Sequence, residues 1–138
     1  MNPMKTHGMF SWNELMTTDV TAAKEFYGKL FGWSFEEMPM EHMPGMTYSS
    51  AKVGDQYVGG MMPLTPDCAE KNIPPHWGAY ITVDNTDETA SRCAELGGEV
   101  LYGPVDIPKV GRFAVIQDPQ GAVIQVIKYF PEAEGDSQ

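Results

Sequence analysis

The stretch WNELMTTDVTAAKEFYGKLFGW, residues 12–33, has a counterpart in WGAYITVDNTDETASRCAELGG, residues 77–98. When the two stretches are aligned from their first tryptophans, Asp19 matches Asp84 and Gly32 matches Gly97. In both stretches a strand-like run leads to an Asp/Thr helix start, a helix and a glycine near the helix end. Two copies are too few for a solenoid. The repeat therefore predicts a pseudo-symmetric domain with any site between its halves.

Length and composition limit the class of protein. The chain has 138 residues, of which 42% are hydrophobic, so it can build the core of one compact domain. No apolar run approaches the roughly 18 residues of a spanning helix, and the N-terminus lacks the features of a signal peptide. We therefore expect a soluble, cytoplasmic protein that does not bind a membrane. Two cysteines, Cys68 and Cys93, are too few for a disulfide framework.

The chain is strongly acidic. Its formal net charge of −10 argues against nucleic-acid binding, because lysine and arginine contacts to phosphate supply most of that affinity. The same charge would attract a cationic small molecule, although it also serves simple solubility.

The first copy predicts one helix and four strands. A strand over 9–16 precedes a helix that begins near Asp19 and ends at Gly32. Three more strands are predicted at 33–37, 47–53 and 56–62, the last two joined by a turn at Gly54-Asp55.

A polar, proline-rich linker leads to the second copy, which repeats the same order. Its predicted helix covers 86–96, and its predicted strands cover 78–83, 99–102, 112–117 and 122–129. A loop is predicted over 103–111. The sequence Asp118-Pro119-Gln120-Gly121 predicts a tight turn between the last two strands.

These elements predict an α+β fold built from two tandem βαβββ modules. The first module spans about 8–63, the linker 64–75, the second module 76–130 and a tail 131–138. We expect two curved, mixed or antiparallel sheets that pair around a central cavity, where small-molecule sites tend to lie. The pattern leaves open whether the modules pair within one chain or across a dimer.

Three segments carry a resemblance to a known family: ELMTTDVTAAKEFYGKLFGW at 14–33, AYITVDNTDETASRCAELGGEV at 79–100 and GRFAVIQDPQGAVIQVIKY at 111–129. With them the chain resembles the vicinal oxygen chelate superfamily, which includes glyoxalase I, extradiol dioxygenases, fosfomycin-resistance enzymes and bleomycin-resistance proteins. The resemblance covers nearly the whole chain, and its motifs do not single out one reaction.

The resemblance implies a divalent metal held between the two halves by side chains of the first and last strand of each copy. In this chain the implied positions are Trp12, Gly60, Trp77 and Gln125. Three of the four have no side chain that binds a metal, so we expect no resident metal or other cofactor. The alternative is a metal-dependent lyase, isomerase or dioxygenase with an unusual ligand set of Glu14, His76 and Gln125.

Without a metal, the same positions predict an aromatic and polar binding site. The predicted ligand-binding residues are Trp12, Glu14, Trp77, Tyr80, Phe113 and Gln125. Two indoles and a carboxylate suit a flat or cationic organic molecule. Bleomycin-resistance proteins, which sequester such molecules without a metal and often as dimers, make the same role and a homodimer the expectation here. Two alternatives stay open: the tryptophans are core residues, or the chain is an interaction module without a ligand.

Overall fold

The computed structural model describes residues 1–40 and 45–131, so residues 41–44 and most of the predicted tail lie outside the described residues. The elements in chain order are β1 (Phe10–Thr17), α1 (Val20–Phe31), β2 (Ser34–Pro39), β3 (Thr47–Val53), β4 (Gln56–Pro63), α2 (Pro66–Glu70), β5 (His76–Thr82), α3 (Thr86–Glu95), β6 (Glu99–Ile107), β7 (Gly111–Gln117) and β8 (Val123–Tyr129). Apart from the short helix α2, this is the predicted βαβββ order, twice. The α+β class and the two modules are confirmed.

The chain forms two compact units. We call residues 13–78 the first-repeat unit, and residues 1–12 together with 79–138 the second-repeat unit. The first has the strand order β2-β3-β4-β1 and the second the order β5-β8-β7-β6. In each unit the first and last strands of the repeat are parallel and the other neighbours antiparallel. The predicted module limits and the predicted cavity between the modules stay predictions.

Helix α1 begins and ends where the sequence indicates. The Asp19 side chain accepts a hydrogen bond from the backbone N–H of Ala22 at 3.0 Å, which satisfies one of the free donors of the first turn. Gly32 closes the helix with a left-handed φ of 77°, a conformation that costs glycine little.

Helix α3 begins at Thr86, as predicted, which is one residue later than an exact alignment with α1 would place it. Its N-cap is Asn85, whose side chain accepts from the N–H of Glu88 at 2.9 Å. The alignment of the two stretches instead places Asp84 opposite Asp19, the N-cap of α1.

The strand registers agree with the later cap. Glu14 pairs with Gly60 on β4, whereas Tyr80 pairs with Gln125 on β8. In β1 and α1, therefore, each residue and its counterpart in the second repeat are separated by as many sequence positions as Glu14 and Tyr80. We call this separation the longer spacing. From β2 onward, corresponding residues are separated by as many sequence positions as Gly60 and Gln125, one position fewer than the longer spacing.

One prediction is wrong. The predicted loop after residue 102 is strand as far as Ile107, because β6 passes through Gly103-Pro104 where its register to β7 shifts. Proline is tolerated there since β6 is the edge strand of its unit. The predicted linker also contains α2, a helix of five residues.

The N-terminal segment is ordered on the second-repeat unit. Gly8 donates to the carbonyl oxygen of Thr82 at 2.8 Å, and the N–H of Thr82 donates to Met9 at 2.9 Å. The Thr82 hydroxyl donates to the carbonyl oxygen of Pro3 at 2.6 Å, and Met4 packs on the core formed by Tyr80, Ile127 and Tyr129. The segment thus adds to the core of that unit.

None of the helices in the described part of the chain has the length and apolar character needed to cross a membrane. The cytoplasmic location stays a prediction.

Candidate functional site

The register of the first-repeat unit places three residues side by side on one sheet face. Glu14 on β1 pairs with Gly60 on β4, and Gly60 pairs with Ser50 on β3. Directly paired residues point to the same side of a sheet, and their chain neighbours point to the other. Helix α1 lies over that other side, since a β-carbon on Gly28 would contact the ring of Phe35 at 3.5 Å. We call the side of Glu14, Gly60 and Ser50 the polar face.

Tyr48 occupies the space that a side chain at position 60 would fill. It lies two residues before Ser50, so it belongs to the polar face as well. A β-carbon built on Gly60 would overlap the hydroxyl and ring carbons of Tyr48. Glycine at position 60 is therefore what lets the phenol of Tyr48 lie over β4, next to the strand that carries Glu14. The carboxyl-bearing Glu14 is only 9% exposed.

At the β2 edge the polar face carries a second group of polar side chains. The Tyr57 hydroxyl donates to Glu36 Oε2 at 2.6 Å, and Lys52 Nζ lies 3.6 Å from the same oxygen. Tyr57 reaches this face because a bulge on β4 shifts its register against β3 between Ala51 and Lys52. The hydrogen bond from Tyr57 lowers the pKa of Glu36, and the same bond raises the pKa of Tyr57.

The second-repeat unit brings together four of the predicted ligand-binding residues. Tyr80 is 5% exposed, and Trp12 and Phe113 pack against the core cluster that it forms with Ile127 and Tyr129. The ring centroids of Tyr80 and Phe113 are 6.4 Å apart. Gln125 is half-buried and pairs with Tyr80 in the strand register.

Trp77 lies in the first-repeat unit, in an aromatic cluster that the sequence analysis missed. Its indole N–H donates to the hydroxyl of Tyr27 at 3.1 Å, and its ring packs edge-on against Tyr27 and Trp33 at centroid distances of 5.4 and 6.1 Å. The signal was present in the F-Y-x-x-x-F-G-W spacing, which puts Tyr27 and Phe31 one helical turn apart.

The corrected spacing changes the counterpart of Trp12. At the longer spacing, which holds across β1, the position that matches Trp12 is Gly78, and Trp77 matches Ser11. The expectation that Trp12 and Trp77 are repeat equivalents is therefore wrong. The physical reason is that the N-cap of α3 is Asn85 and not Asp84, so the alignment of the preceding strand with β1 shifts by one residue.

The donor set does not fit the divalent ion that the family resemblance implies. At the corrected spacing the four positions hold Trp12, Gly60, Gly78 and Gln125, so one neutral amide is the sole side-chain ligand among them. Catalytic metal sites use about three protein donors. The Nδ1–H of His76, an exposed residue, donates to the carbonyl oxygen of Pro74 at 2.9 Å. Among the side chains that the structure describes, no three from His, Cys, Asp or Glu gather as a metal site.

Two grooves are lined by residues other than the predicted ligand-binding ones. One, of about 500 Å³, is in the first-repeat unit and is lined by Thr17, Thr18, Pro63, Leu64, Asn72, Ile73, Pro74 and Pro75. The other, of about 220 Å³, is lined by Met4, Lys5, Thr82, Val83, Asp84, Lys128 and Tyr129 in the second-repeat unit.

Comparisons with known proteins agree with the fold. The chain is 43% identical over 126 residues to the protein named "Putative glyoxylase CFP32" of Mycobacterium tuberculosis, which covers 91% of this chain and 46% of that protein. It is 34% identical to "Anthracycline biosynthesis protein DnrV" of Streptomyces peucetius, over 93% of this chain and 45% of DnrV. The chain thus spans about half the length of these curated relatives.

Among solved structures, methylmalonyl-CoA epimerase from Mycobacterium tuberculosis superposes with a TM-score of 0.65 at 16% identity, covering 93% of this chain and 91% of the epimerase. At that identity the likeness concerns the fold alone. The sequence model of the Glyoxalase/Bleomycin resistance protein/Dioxygenase superfamily matches residues 9–126. This match covers most of the chain and agrees with the resemblance in the three quoted segments. The chain therefore belongs to the glyoxalase/bleomycin resistance protein/dioxygenase superfamily.

Proposed function

We propose that this protein binds a small organic molecule without a metal, at the polar face of the first-repeat unit. The observation that carries the proposal is the overlap between Tyr48 and any side chain at position 60. The position from which the superfamily resemblance implies a metal ligand is occupied by the phenol of a neighbouring strand. A phenol and a carboxylate that share a face offer hydrogen bonds to a ligand and need no ion.

The chemistry of Glu14 indicates what the ligand carries. Glu14 is nine-tenths buried on the polar face, and a carboxyl group there is a strong hydrogen-bond acceptor for a ligand that carries N–H or O–H donors. Met16 and Met62 pair two residues further along the same strands and share the polar face, where their thioethers suit a flat apolar body. The net charge of −10 would raise the local concentration of a cation.

A relative suggests the probe for the first experiment. DnrV, by its name, is an anthracycline biosynthesis protein. Anthracyclines are flat, polycyclic and carry a protonated amino sugar, so they match an acidic site with an apolar floor. We therefore propose a flat, cationic aromatic molecule as the ligand class and daunorubicin as its probe.

Quenching of daunorubicin fluorescence measures the binding. We expect saturable, one-to-one binding by the wild-type protein. Glu14→Gln should weaken daunorubicin binding by roughly 10- to 100-fold, because one charged hydrogen bond is lost. The neutral aglycone, which lacks the amino sugar, should bind the wild-type and Glu14→Gln proteins with similar affinity. Equal affinity of both proteins for daunorubicin would show that Glu14 is not the anchor.

A matched pair of glycine variants tests the role of Tyr48. Gly60→Ala should displace the phenol of Tyr48 and weaken daunorubicin binding at least about tenfold, because one good hydrogen bond and its packing are lost. Gly28→Ala is the control, because its β-carbon meets the nearest atoms at 3.4 and 3.5 Å, ordinary contact distances, on the helix side of the sheet. If both variants bind like the wild type, the polar face is not the binding site.

A metal titration separates this proposal from the metal-dependent alternative. We expect no stoichiometric heat of binding when Zn²⁺, Ni²⁺, Mn²⁺ or Fe²⁺ is titrated into the protein. Tight one-to-one binding that disappears in Glu14→Gln and His76→Ala would overturn the proposal in favour of a metal-dependent lyase, isomerase or dioxygenase that uses Glu14, His76 and Gln125.

A further inference from the structure

The larger of the two grooves lies at the carboxyl ends of β1 and β4. Thr17 and Pro63, which pair at the ends of these parallel strands, form part of its lining. Their side chains point away from the polar face, because Met16 and Met62, which pair one residue earlier, belong to that face. The strand ends therefore give the first-repeat unit a second concave surface, separate from the proposed site at Glu14.

The smaller groove lies at the matching strand ends of the second-repeat unit. Thr18 in the larger groove corresponds to Asp84 at the longer spacing, and Pro63 corresponds to Lys128, as Gly60 does to Gln125. The smaller groove, of about 220 Å³, is thus lined in part by charged side chains. None of the described residues that line the larger groove is charged. The fold does not require an uncharged lining, which is particular to the first repeat.

The chain segment that borders the larger groove is apolar and rigid. Ile73, Pro74 and Pro75 line it in succession, and each proline ring fixes its own backbone φ. The N–H of Ile73 donates to the carbonyl oxygen of Cys68 at 2.9 Å, and the Nδ1–H of His76 donates to that of Pro74 at 2.9 Å. A segment held in this way loses little conformational freedom when a ligand binds, which favours binding.

We propose that the larger groove binds a neutral, flat aromatic molecule that carries one hydrogen-bonding group. Its volume of about 500 Å³ lies within the range of about 300–1,000 Å³ that is usual for small-molecule sites. Proline and aromatic rings pack well on each other, as they do where proline-rich peptides bind aromatic grooves.

The polar groups of the lining favour the same class of ligand. Thr17, Thr18 and Asn72 supply hydroxyl and amide groups that can donate or accept a hydrogen bond. A charged ligand would lose hydration there and would meet no opposite charge among the described lining residues. The groove thus differs in selectivity from the polar face, where Glu14 favours a cation.

Fluorescence titration of the full chain with N-phenyl-1-naphthylamine tests the proposal. This neutral probe has two flat ring systems and one N–H group, and its emission rises in apolar surroundings. We expect saturable, one-to-one binding by the wild-type protein. Thr18→Asp, which installs the residue type of the second repeat, should weaken binding at least about tenfold, because the carboxylate would lose hydration beside the bound probe. Wild-type protein without saturable binding would overturn the proposal.

A second variant introduces the same charge from the proline-rich segment. Ile73→Asp should also weaken probe binding at least about tenfold, and Ile73 is 37% exposed, so the core stays intact. Val123→Asp is the control, because Val123 is 54% exposed and lines neither groove, and we expect unchanged affinity. If folded Thr18→Asp and Ile73→Asp proteins both bind the probe like the wild type, the groove is not the binding site.

Glu14→Gln separates this groove from the polar face. We expect unchanged probe affinity in Glu14→Gln and unchanged daunorubicin affinity in Thr18→Asp. If Glu14→Gln weakens probe binding while Thr18→Asp leaves it unchanged, the probe occupies the polar face. That outcome would refute the proposed groove site and leave the proposed function standing.

Discussion

The same sheet face is polar in the first repeat and is part of a hydrophobic core in the second. Glu14 stands where the second repeat has Tyr80, in identical strand registers. Gly60 stands where it has Gln125, and Tyr48 where it has Phe113. In the first repeat, Gly60 has no side chain, so the phenol of Tyr48 can lie over β4, next to the strand that carries Glu14. In the other, Gln125 keeps its own place and the ring of Phe113 packs near Tyr80.

This difference separates a repeat whose face carries the proposed site from a repeat whose matching face is packed into a core. Strand pairing fixes which residues share a face, but a single glycine decides whether a neighbouring ring can enter. The second-repeat unit also holds the N-terminal segment on its core, which increases the apolar surface that it buries. We therefore expect larger stability losses from changes in the second repeat and larger binding losses from changes in the first.

The largest expected effect comes from truncating the matched pair Ile127 and Met62. Both lie two residues after the paired positions 125 and 60, and they are 2% and 7% exposed. Ile127→Ala should reduce the free energy of unfolding by about 3 kcal/mol, through lost burial and a cavity. Met62→Ala should cost about 2 kcal/mol or less, because the flexible methionine site can relax. Urea denaturation measures both.

If Met62→Ala costs more than Ile127→Ala, the first repeat holds the better packed face, and the contrast between site and core is reversed.

The next effect concerns the overlap at Gly60. Gly60→Ala should destabilise the protein by about 1–3 kcal/mol, as overpacking does. Tyr48→Ala in the same chain should remove most of that cost, which gives a favourable coupling energy in a double-mutant cycle. Gln125→Ala, the matched change in the second repeat, leaves no overlap and should show no coupling with Phe113→Ala. Additive effects of Gly60→Ala and Tyr48→Ala would mean that Tyr48 does not lie over Gly60.

Much of the fold follows from local sequence signals. The strand Thr47–Val53 has its predicted bounds, and Gly32 closes α1 as predicted, since turn and cap chemistry acts over a few residues. The extension of β6 through Gly103-Pro104 could not be predicted from local signals, because a strand tolerates proline only when it lies at the edge of a sheet.

The candidate site was only partly predictable, because it depends on contacts between strands. Glu14 and Gly60 were identified from spacing, and their pairing on one face is now established. Tyr48 was missed as a site residue, since its position over Gly60 is set by the β3–β4 register and not by its own neighbours in sequence. Asp84 and Asn85 are adjacent and both suit an N-cap, so the sequence was compatible with two alignments of the repeats. The hydrogen bonds at the start of α3 and the strand registers distinguish them.

A smaller effect tests the one-residue difference between the repeats directly. Asp19→Ala and Asn85→Ala should each cost about 1 kcal/mol of unfolding free energy, because each removes the side-chain acceptor of an N-cap. Asp84→Ala should cost clearly less, since its side chain is 81% exposed and caps no helix. The same denaturation experiment compares the three variants. If Asp84→Ala reduces the free energy of unfolding more than Asn85→Ala does, Asp84 is the counterpart of Asp19, and the repeats do not differ by one residue.

The smallest effects are those of pH, and they differ between the repeats. In the first repeat, the hydrogen bond from Tyr57 lowers the pKa of Glu36. A lowered pKa stabilises the fold above the ordinary carboxyl value, and this stability is lost as the pH falls through the native pKa. The same bond raises the pKa of Tyr57, so its contribution is complete below about pH 10 and is lost as the pH rises through the raised value.

In the second repeat, a hydrogen bond from Arg112 lowers the pKa of Asp87, and arginine stays charged throughout. Urea midpoints between pH 3 and 11, about the range that carboxyl and phenol groups span, should therefore respond differently to the two variants. Tyr57→Phe should flatten the decline above about pH 10 and also weaken the acid dependence through Glu36. Asp87→Asn should flatten the acid side alone. An unchanged alkaline decline in Tyr57→Phe would mean that the Tyr57–Glu36 bond does not form in solution, and that the polar face ends before the β2 edge.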